Sequence, residues 1–165
     1  MDDETIYRVV RPTRFGTITM TASAEGLHSL RFEDWTGAEG EDTPAHIAAL
    51  FDRAARAVDS GETEPLLLAP RGTSFQRKVW ALLQAIPAGA TRTYGDLAAE
   101  LGMKNGARAV GGANGANPIA ILIPCHRVIA SNGSIGGYAY GLEMKRRLLE
   151  REGVVIEAER QAALL

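Results

Sequence analysis

Residues 93–115 have the sequence TYGDLAAELGMKNGARAVGGANG, which predicts two short helices separated by a turn. Thr93 is a favourable residue to begin the first helix, and Asp96 places a carboxylate near its positive end. Met103–Gly106 forms the predicted turn, and Ala107–Gly115 forms the second helix. Two helices joined by a glycine-containing turn of a few residues are typical of a helix-turn-helix.

The second of these helices consists almost entirely of alanine, glycine and one long side chain, Arg108. Small side chains allow the helix backbone to approach another surface closely. A single arginine at a helix N-terminus suits contact with phosphates beside a nucleic-acid groove. The same composition also fits a tight helix–helix contact inside the domain, with Arg108 in a salt bridge outside it, and the residues alone leave both interpretations open.

A longer helix is predicted just before this pair. Thr73 and Gln76 have the spacing of a capping box, in which each side chain bonds the backbone of the other residue. Apolar residues follow along one side of that helix at Phe75, Val79, Trp80, Leu82, Leu83 and Ile86. Pro87 and Gly89 are expected to end it.

Residues 117–128, NPIAILIPCHRV, carry the only cysteine of the chain. The apolar run Ile119–Ile123 predicts a buried extended segment that brings Cys125 and His126 into the domain interior. A thiol is nucleophilic only as its thiolate, and a histidine can take its proton directly or through water. A lone cysteine is more often a small buried apolar residue, and adjacency in sequence does not establish contact with the histidine.

The first seventy residues predict strands followed by one helix. Strands are expected at residues 5–10, 15–21 and 27–32. Residues 35–42 are rich in Gly, Asp and Glu and predict a loop. The helix is expected to begin at Thr43-Pro44, with the proline in its first position, and to end at Gly61. Its apolar stripe is predicted at Ile47, Leu50, Phe51, Ala54 and Val58.

The net charge of −2 over 165 residues conceals an unequal distribution. Residues 1–70 hold six Lys or Arg and thirteen Asp or Glu, a net charge of −7. Residues 71–153 hold eleven and five, a net charge of +6. A basic half of this kind favours a polyanionic partner, although a solvated basic face would have the same composition.

Composition also excludes several classes of protein. No stretch approaches the ~18 consecutive apolar residues of a membrane span, so we expect a soluble, cytoplasmic protein with no membrane partner. A single cysteine excludes an internal disulfide and a multi-cysteine zinc site. We therefore expect no metal and no cofactor.

The second half resembles the O6-alkylguanine-DNA alkyltransferases, or methylated-DNA–protein-cysteine methyltransferases. The matching segments are TSFQRKVWALLQAIP (73–87), TYGDLA (93–98), ARAVGGANGANP (107–118), IPCHRV (123–128) and GGYAYGLEMKRRLLEREG (136–153). The resemblance implies an α+β fold. Its small ribonuclease-H-like α/β domain would span residues 1–70, and a mainly helical domain with the helix-turn-helix would span residues 71–165.

The resemblance implies a chemical role for five residues. Cys125 would attack the alkyl group on O6 of guanine, and on O4 of alkylated thymine, and keep it as a thioether, so each molecule acts once. His126 would accept the thiol proton through water, while Glu152 holds the orientation of the imidazole. Asn117 would order the loop around the thiol, and Tyr94 would donate a hydrogen bond to the departing guanine.

The resemblance also implies how DNA is bound. The partner would be double-stranded alkylated DNA, bound by a monomer in the minor groove with little sequence preference, and the damaged nucleotide would be flipped out. Arg108 would fill the gap in the base stack, while the small residues Ala107, Gly111 and Gly112 press against the groove. The flipped base would meet the backbone of Cys125, Val128 and Ala139, with Tyr138 as a pocket wall.

Two positions depart from the common family pattern, and two other functions stay open. Tyr140 and Ala130 stand where the family commonly has glycine, so the accepted alkyl size is not predicted. The alternatives are a lesion-binding or transcription module that uses the helix-turn-helix, and an unrelated hydrolase with a Cys-His pair.

Overall fold

The structure is a computed structural model that describes residues 5–37, 42–62 and 64–156. Within these ranges the chain is mixed α/β, with five α-helices and two small sheets. None of the helices in these ranges is long and apolar enough to cross a membrane. The contacts divide the described chain into two units: the part up to Gly72 together with Pro118–Leu122, and Thr73–Asn117 together with the part from Ile123 onward.

The first unit is built on an antiparallel sheet whose strands follow one another in chain order. The strands are β1 (Tyr7–Thr13), β2 (Gly16–Ser23) and β3 (Gly26–Arg31). Val9, Met20 and Leu30 lie opposite one another across the three strands, and all three are buried. The predicted strands are thus confirmed, with the first displaced toward the C-terminus.

Helix α1 (Ala45–Ser60) completes this unit and contacts all three strands. Pro44 is the N-cap rather than the first helical residue, and Gly61 ends the helix in the left-handed conformation, at φ 73°. The predicted stripe is buried except for Leu50, which is half-buried. Residues 38–41 of the predicted loop lie outside the described residues.

The second unit is mainly helical. Its helices are α2 (Ser74–Gln84), α3 (Tyr94–Glu100), α4 (Ala107–Gly115) and α5 (Leu142–Arg151). Two short strands, β4 (Arg92–Thr93) and β5 (Val128–Ile129), pair in parallel. The indole of Trp80 on α2 is buried and donates a hydrogen bond of 2.8 Å to the Ala113 carbonyl of α4, which fixes the approach of these two helices.

Complete capping boxes begin α2 and α3. Thr73 accepts from the Gln76 amide at 3.1 Å while the Gln76 side chain accepts from the Thr73 amide at 2.9 Å, as predicted. Thr93 and Asp96 make the same reciprocal pair, at 3.0 Å in both directions. Each box satisfies two amides that a helix start would otherwise leave without partners.

The segment before the cysteine is buried except for Leu122, which is half-buried, but the prediction that it is extended throughout is wrong. Ile119 forms one parallel bridge with Leu30, where the Leu30 amide donates to Pro118 and the Ala120 amide donates to Leu30. The chain then turns instead of continuing as a strand, because the Leu122 amide bonds the Ala120 carbonyl at 2.7 Å. The five residues Pro118–Leu122 therefore belong to the first unit, and the chain returns to the second unit at Ile123.

Ile121, at the centre of that turn, has φ 68°. A hydrogen bond between residues two apart around a positive φ defines the rarer and more strained γ-turn. A β-branched residue is especially unfavourable there, because its Cβ approaches the following carbonyl. The strain persists because the bonds to Leu30 hold one side of the turn and burial holds the side chain.

Replacing Ile121 by glycine and by alanine tests this strain. Both variants remove nearly all of the buried Ile121 side chain, but only the alanine variant retains a Cβ. We expect Ile121→Gly to be more stable than Ile121→Ala by about 1 kcal/mol in chemical denaturation. At the exposed helical position 81, Ala81→Gly should instead lower the free energy of unfolding by about 1 kcal/mol. An alanine variant at 121 as stable as the glycine variant would contradict the strained turn.

Candidate active site

The cysteine lies on a short 3-10 turn, Cys125–Arg127, whose position is fixed from the preceding backbone. Pro124 has φ −80° and ψ 67°, and the Cys125 amide donates to the Ile123 carbonyl at 2.8 Å, which is an inverse γ-turn. The buried Asn117 side chain donates to the same Ile123 carbonyl at 2.7 Å. This bond links Asn117 and Ile123, the two residues that flank the segment Pro118–Leu122 of the first unit.

The Cys125 thiol is buried and protonated at neutral pH. The residue is 8% exposed, and burial raises the pKa of the thiol above its ordinary value of 9.0. A hydrogen bond from Asn117 and the positive charge of Lys145 act in the opposite direction but do not outweigh burial. Conversion to the nucleophilic thiolate therefore requires a base.

The adjacent imidazole belongs to a buried ionic network. His126 Nε2 lies 3.2 Å from both carboxylate oxygens of Glu152, whose side chain is 7% exposed. Arg127 donates to the same carboxylate from Nε at 3.0 Å and from Nη2 at 2.5 Å. Its Nη1 donates to the Ile86 carbonyl at 2.6 Å, so the guanidinium also connects this network to the residues that follow α2.

This network determines the proton positions on His126. Burial acts to raise the pKa of Glu152, but the hydrogen bonds from His126 and Arg127 outweigh it and bring the pKa to about 2. Burial lowers the pKa of His126 despite the attraction of the carboxylate. A neutral imidazole beside an ionised carboxylate carries its proton on Nε2, so Nδ1 is left as an acceptor. Nδ1 is buried and has no hydrogen-bond partner among the described residues.

Two tyrosines lie close enough to Cys125 to interact with it electrostatically. Burial raises the pKa of Tyr94, and the negative charge of a Cys125 thiolate raises it further. The same two causes raise the pKa of Tyr138 well above its ordinary value, and its hydroxyl is buried without a hydrogen-bond partner in the described chain. Both phenols therefore remain protonated beside the thiol. Tyr140 packs edge-on against Tyr138, with the ring centroids 5.8 Å apart.

The sequence did not identify Lys145, which is completely buried on α5. Its ammonium donates to the Val128 carbonyl at 2.7 Å and to the Gly137 carbonyl at 2.9 Å. Burial lowers its pKa to about 8, against a raising effect of the Cys125 charge. Arg127 was likewise not predicted to take part. Lys145 lies in a run of charged residues that is typical of an exposed helix face, so composition gave no indication of its burial.

Val128 and Ala139, whose backbone is predicted to meet the flipped base, differ in exposure. Val128 is buried and its carbonyl already accepts from Lys145, whereas Ala139 is exposed. Ala130, the second departure from the common family pattern, is half-buried and its amide donates to Ser134.

Two small residues of α4, Gly111 and Gly112, are not explained by packing inside the unit. A Cβ added at Gly111 would meet only the Tyr94 ring, at 3.8 Å, which is ordinary van der Waals contact. A Cβ at Gly112 would meet nothing within 4 Å. Arg108 is exposed, and the described residues provide no salt bridge to its guanidinium. These observations favour an external surface over the tight internal contact that the sequence had left open.

Comparison with known proteins gives consistent matches. Residues 74–154 match the family described as "6-O-methylguanine DNA methyltransferase, DNA binding domain". The methylated-DNA–protein-cysteine methyltransferase of Methanosarcina acetivorans is 41% identical over 154 residues, which cover 90% of this chain and 99% of that protein. The protein of the same name from Mycolicibacterium paratuberculosis is 40% identical over 151 residues, covering 88% and 91%.

A solved structure agrees with these matches. The crystal structure of Mycobacterium tuberculosis OGT in complex with DNA superposes with a TM-score of 0.74 at 39% identity, covering 87% of this chain and 90% of that chain. Identity above 40% over nearly the full length of a relative establishes common descent as well as a shared fold. The chain therefore belongs to the methylated-DNA–protein-cysteine methyltransferase family.

Proposed function

We propose that the protein repairs DNA by moving an alkyl group from O6 of guanine, and from O4 of thymine, to Cys125. The observation that carries this proposal is a buried thiol whose pKa is raised by burial, followed in sequence by His126, whose imidazole holds its proton on Nε2 toward Glu152. Such a site forms the thiolate only when a base removes the proton, so no thiolate is exposed to other electrophiles beforehand. Membership of the family supplies the substrate class.

The first chemical step is removal of the thiol proton. His126 Nδ1 is the available acceptor, and the proton reaches it directly or through water. Glu152 compensates the charge that develops on the imidazole, and Arg127 keeps the carboxylate ionised throughout. The nearby ammonium of Lys145 favours the thiolate once it forms.

The second step is attack at a saturated carbon. The sulfur forms a bond to the alkyl carbon, the bond from that carbon to O6 breaks, and its electron pair remains with guanine. A phenol hydrogen bond from Tyr94 stabilises the developing negative charge, and the proton that His126 took from the thiol returns through solvent to give neutral guanine. Tyr138 forms a wall of the pocket, and the backbone of Val128 and Ala139 recognises the base edge.

The product explains why one molecule acts once. A thioether is not cleaved by thiol exchange, and this chain contains no second cysteine. The alkylated protein is therefore the end point, and we expect one alkyl group to be accepted per chain.

DNA binding is assigned to α3 and α4, used as a helix-turn-helix in the minor groove with little sequence preference. The positive charge of residues 71–153 supplies attraction to phosphates. Ala107, Gly111 and Gly112 allow close approach of α4, and Arg108 occupies the space of the flipped nucleotide. The exposure of Arg108 and the free space at Gly112 support this assignment.

We assign residues 1–70 to a ribonuclease-H-like domain and residues 71–165 to the DNA-binding and transfer domain. The protein acts as a monomer in the cytoplasm and needs no cofactor, because the nucleophile, the base and the proton donor are all side chains of one chain.

Mass spectrometry of the protein mixed with a duplex containing O6-methylguanine tests the proposed reaction. We expect the peptide containing Cys125 to gain the mass of one methyl group, with saturation at one equivalent per chain. Cys125→Ser should abolish the gain and keep DNA binding, because serine preserves the shape of the buried residue but is not nucleophilic there. Unmodified protein that binds the duplex would favour a lesion-binding module, and repeated turnover of an ester would favour a hydrolase.

The role of Arg108 is tested by comparing Arg108→Ala with Lys104→Ala. Both substitutions remove one exposed positive charge, but Lys104 lies in the turn between the two helices. Filling the vacated stack offsets an unstacking cost of a few kcal/mol, so Arg108→Ala should slow methyl transfer in the saturated complex by about tenfold or more. Lys104→Ala should weaken binding without slowing transfer. Equal single-turnover rates for the two variants would refute the assignment.

A further inference from the structure

A cavity of about 340 Å³ opens on the sheet of the first unit, away from the buried row of Val9, Met20 and Leu30. Its lining is dominated by guanidinium and hydroxyl groups. The residues that line it are Ile6, Arg8, Thr19, Thr21, His28, Ser29, Arg31, Glu33 and Arg71. The proposed DNA-repair function uses none of them.

The strand register explains why these groups converge. Arg8, Thr21 and Ser29 lie opposite one another across β1, β2 and β3, so their side chains leave the same face of the sheet. Arg31 lies two residues beyond Ser29 on that face. Neighbouring strands are about 4.8 Å apart and residues two apart along a strand about 7 Å apart, so the two long arginine side chains can reach over the hydroxyls between them.

The charge of this cavity is unusual for its surroundings. Residues 1–70 carry a net charge of −7, and two of the other arginines there form salt bridges with carboxylates. Arg11 pairs with Asp52 at 3.8 Å, and Arg53 pairs with Glu64 at 2.6 Å. In contrast, no carboxylate of the described residues forms a salt bridge with either Arg8 or Arg31.

Two further contacts shape the site. The Arg8 guanidinium lies over the Trp35 ring, 5.1 Å from its centroid, which restricts the arginine without neutralising it. On the floor, the hydroxyls of Thr21 and Ser29 are 2.5 Å apart, and one of the two protons remains free to point outward. Arg71 lines the cavity and also forms a salt bridge with Glu25, at 3.5 Å.

The remaining polar groups limit what can bind. Both ring nitrogens of His28 form hydrogen bonds of 2.7 Å, one with the Ala69 carbonyl and one with the Ser23 hydroxyl. His28 therefore lines the cavity but has no ring nitrogen available to bind a molecule in it. Glu33 contributes one negative charge to the lining. Two guanidiniums that form no salt bridge with a described carboxylate, beside the one carboxylate of Glu33, suit a single compact oxyanion better than a long run of negative charges.

We propose that this cavity binds a phosphate group, held between the guanidiniums of Arg8 and Arg31 above the hydroxyls of Thr21 and Ser29. Arginine forks match phosphate oxygens in geometry, and hydroxyl donors satisfy an oxygen that faces the sheet. The phosphate can come from a free phosphate or phosphomonoester, or from a phosphodiester of DNA. The site is independent of Cys125 and of the proposed transfer reaction.

Two-dimensional NMR of the full chain tests the site, because the indole N–H of Trp35 reports on its contact with Arg8. Inorganic phosphate, a nucleoside monophosphate and an undamaged DNA duplex are titrated separately, each against sodium chloride at equal ionic strength. We expect at least one of them to produce saturable shifts at Trp35, Thr21 and Ser29. Saturation by the first two assigns a free phosphate, and saturation by the duplex alone assigns a phosphodiester.

Substitution distinguishes a built site from general attraction to positive charge. Arg31→Gln should weaken the saturable binding at least about tenfold, because it removes a charge-assisted fork. Arg8→Lys keeps the charge and should also weaken it, since the fork and the stacking geometry are lost. Arg56→Ala removes an exposed arginine on α1 and should leave binding unchanged. Shifts reproduced by sodium chloride, or equal binding by all three variants, would overturn the proposal.

Discussion

The active site depends on the carboxylate of Glu152, which is shared between two cationic or potentially cationic neighbours. A buried carboxylate is costly unless it is paired and hydrogen-bonded, and this one accepts from both His126 and Arg127. Arg127 keeps the carboxylate ionised, and the ionised carboxylate in turn keeps the proton of neutral His126 on Nε2. Glu152, which lies 26 positions away in sequence, thus determines that Nδ1 is the ring nitrogen of His126 without a proton.

The backbone provides the second constraint. Asn117 bonds the Ile123 carbonyl across the passage through the first unit, and two γ-turns of opposite type flank Ile123. The turn at Ile121 is held in a left-handed conformation, while the turn at Pro124 leads directly into the 3-10 turn that carries Cys125. A thiol placed by short-range backbone bonds has little freedom, which suits a reaction that requires alignment at a saturated carbon.

The sequence predicted the elements that depend on local interactions. Both helix starts with capping boxes follow from side chains three residues apart, and the strands follow from alternation, so neither needs knowledge of the tertiary fold. The apolar run Ile119–Ile123 predicts an extended segment, which is wrong, because such a run indicates burial but not the hydrogen bond that turns the chain at Ile121. The association of His126 with Glu152 came only from family resemblance. The sequence does not predict the roles of Lys145 and Arg127, because these roles arise from contacts with carbonyls and a carboxylate distant in sequence.

The tautomer of His126 is the most direct measure of how this site works. Nitrogen-15 NMR of the unalkylated protein distinguishes a protonated ring nitrogen from an unprotonated one, and a titration from pH 8 to pH 6 follows the charge of the ring. The expected result is a neutral imidazole at pH 7 with the proton on Nε2 and none on Nδ1, because burial lowers the pKa of His126 and Glu152 holds that proton. A proton on Nδ1 at pH 7, whether in the other tautomer or in an imidazolium, would contradict the role of His126 as the base for Cys125.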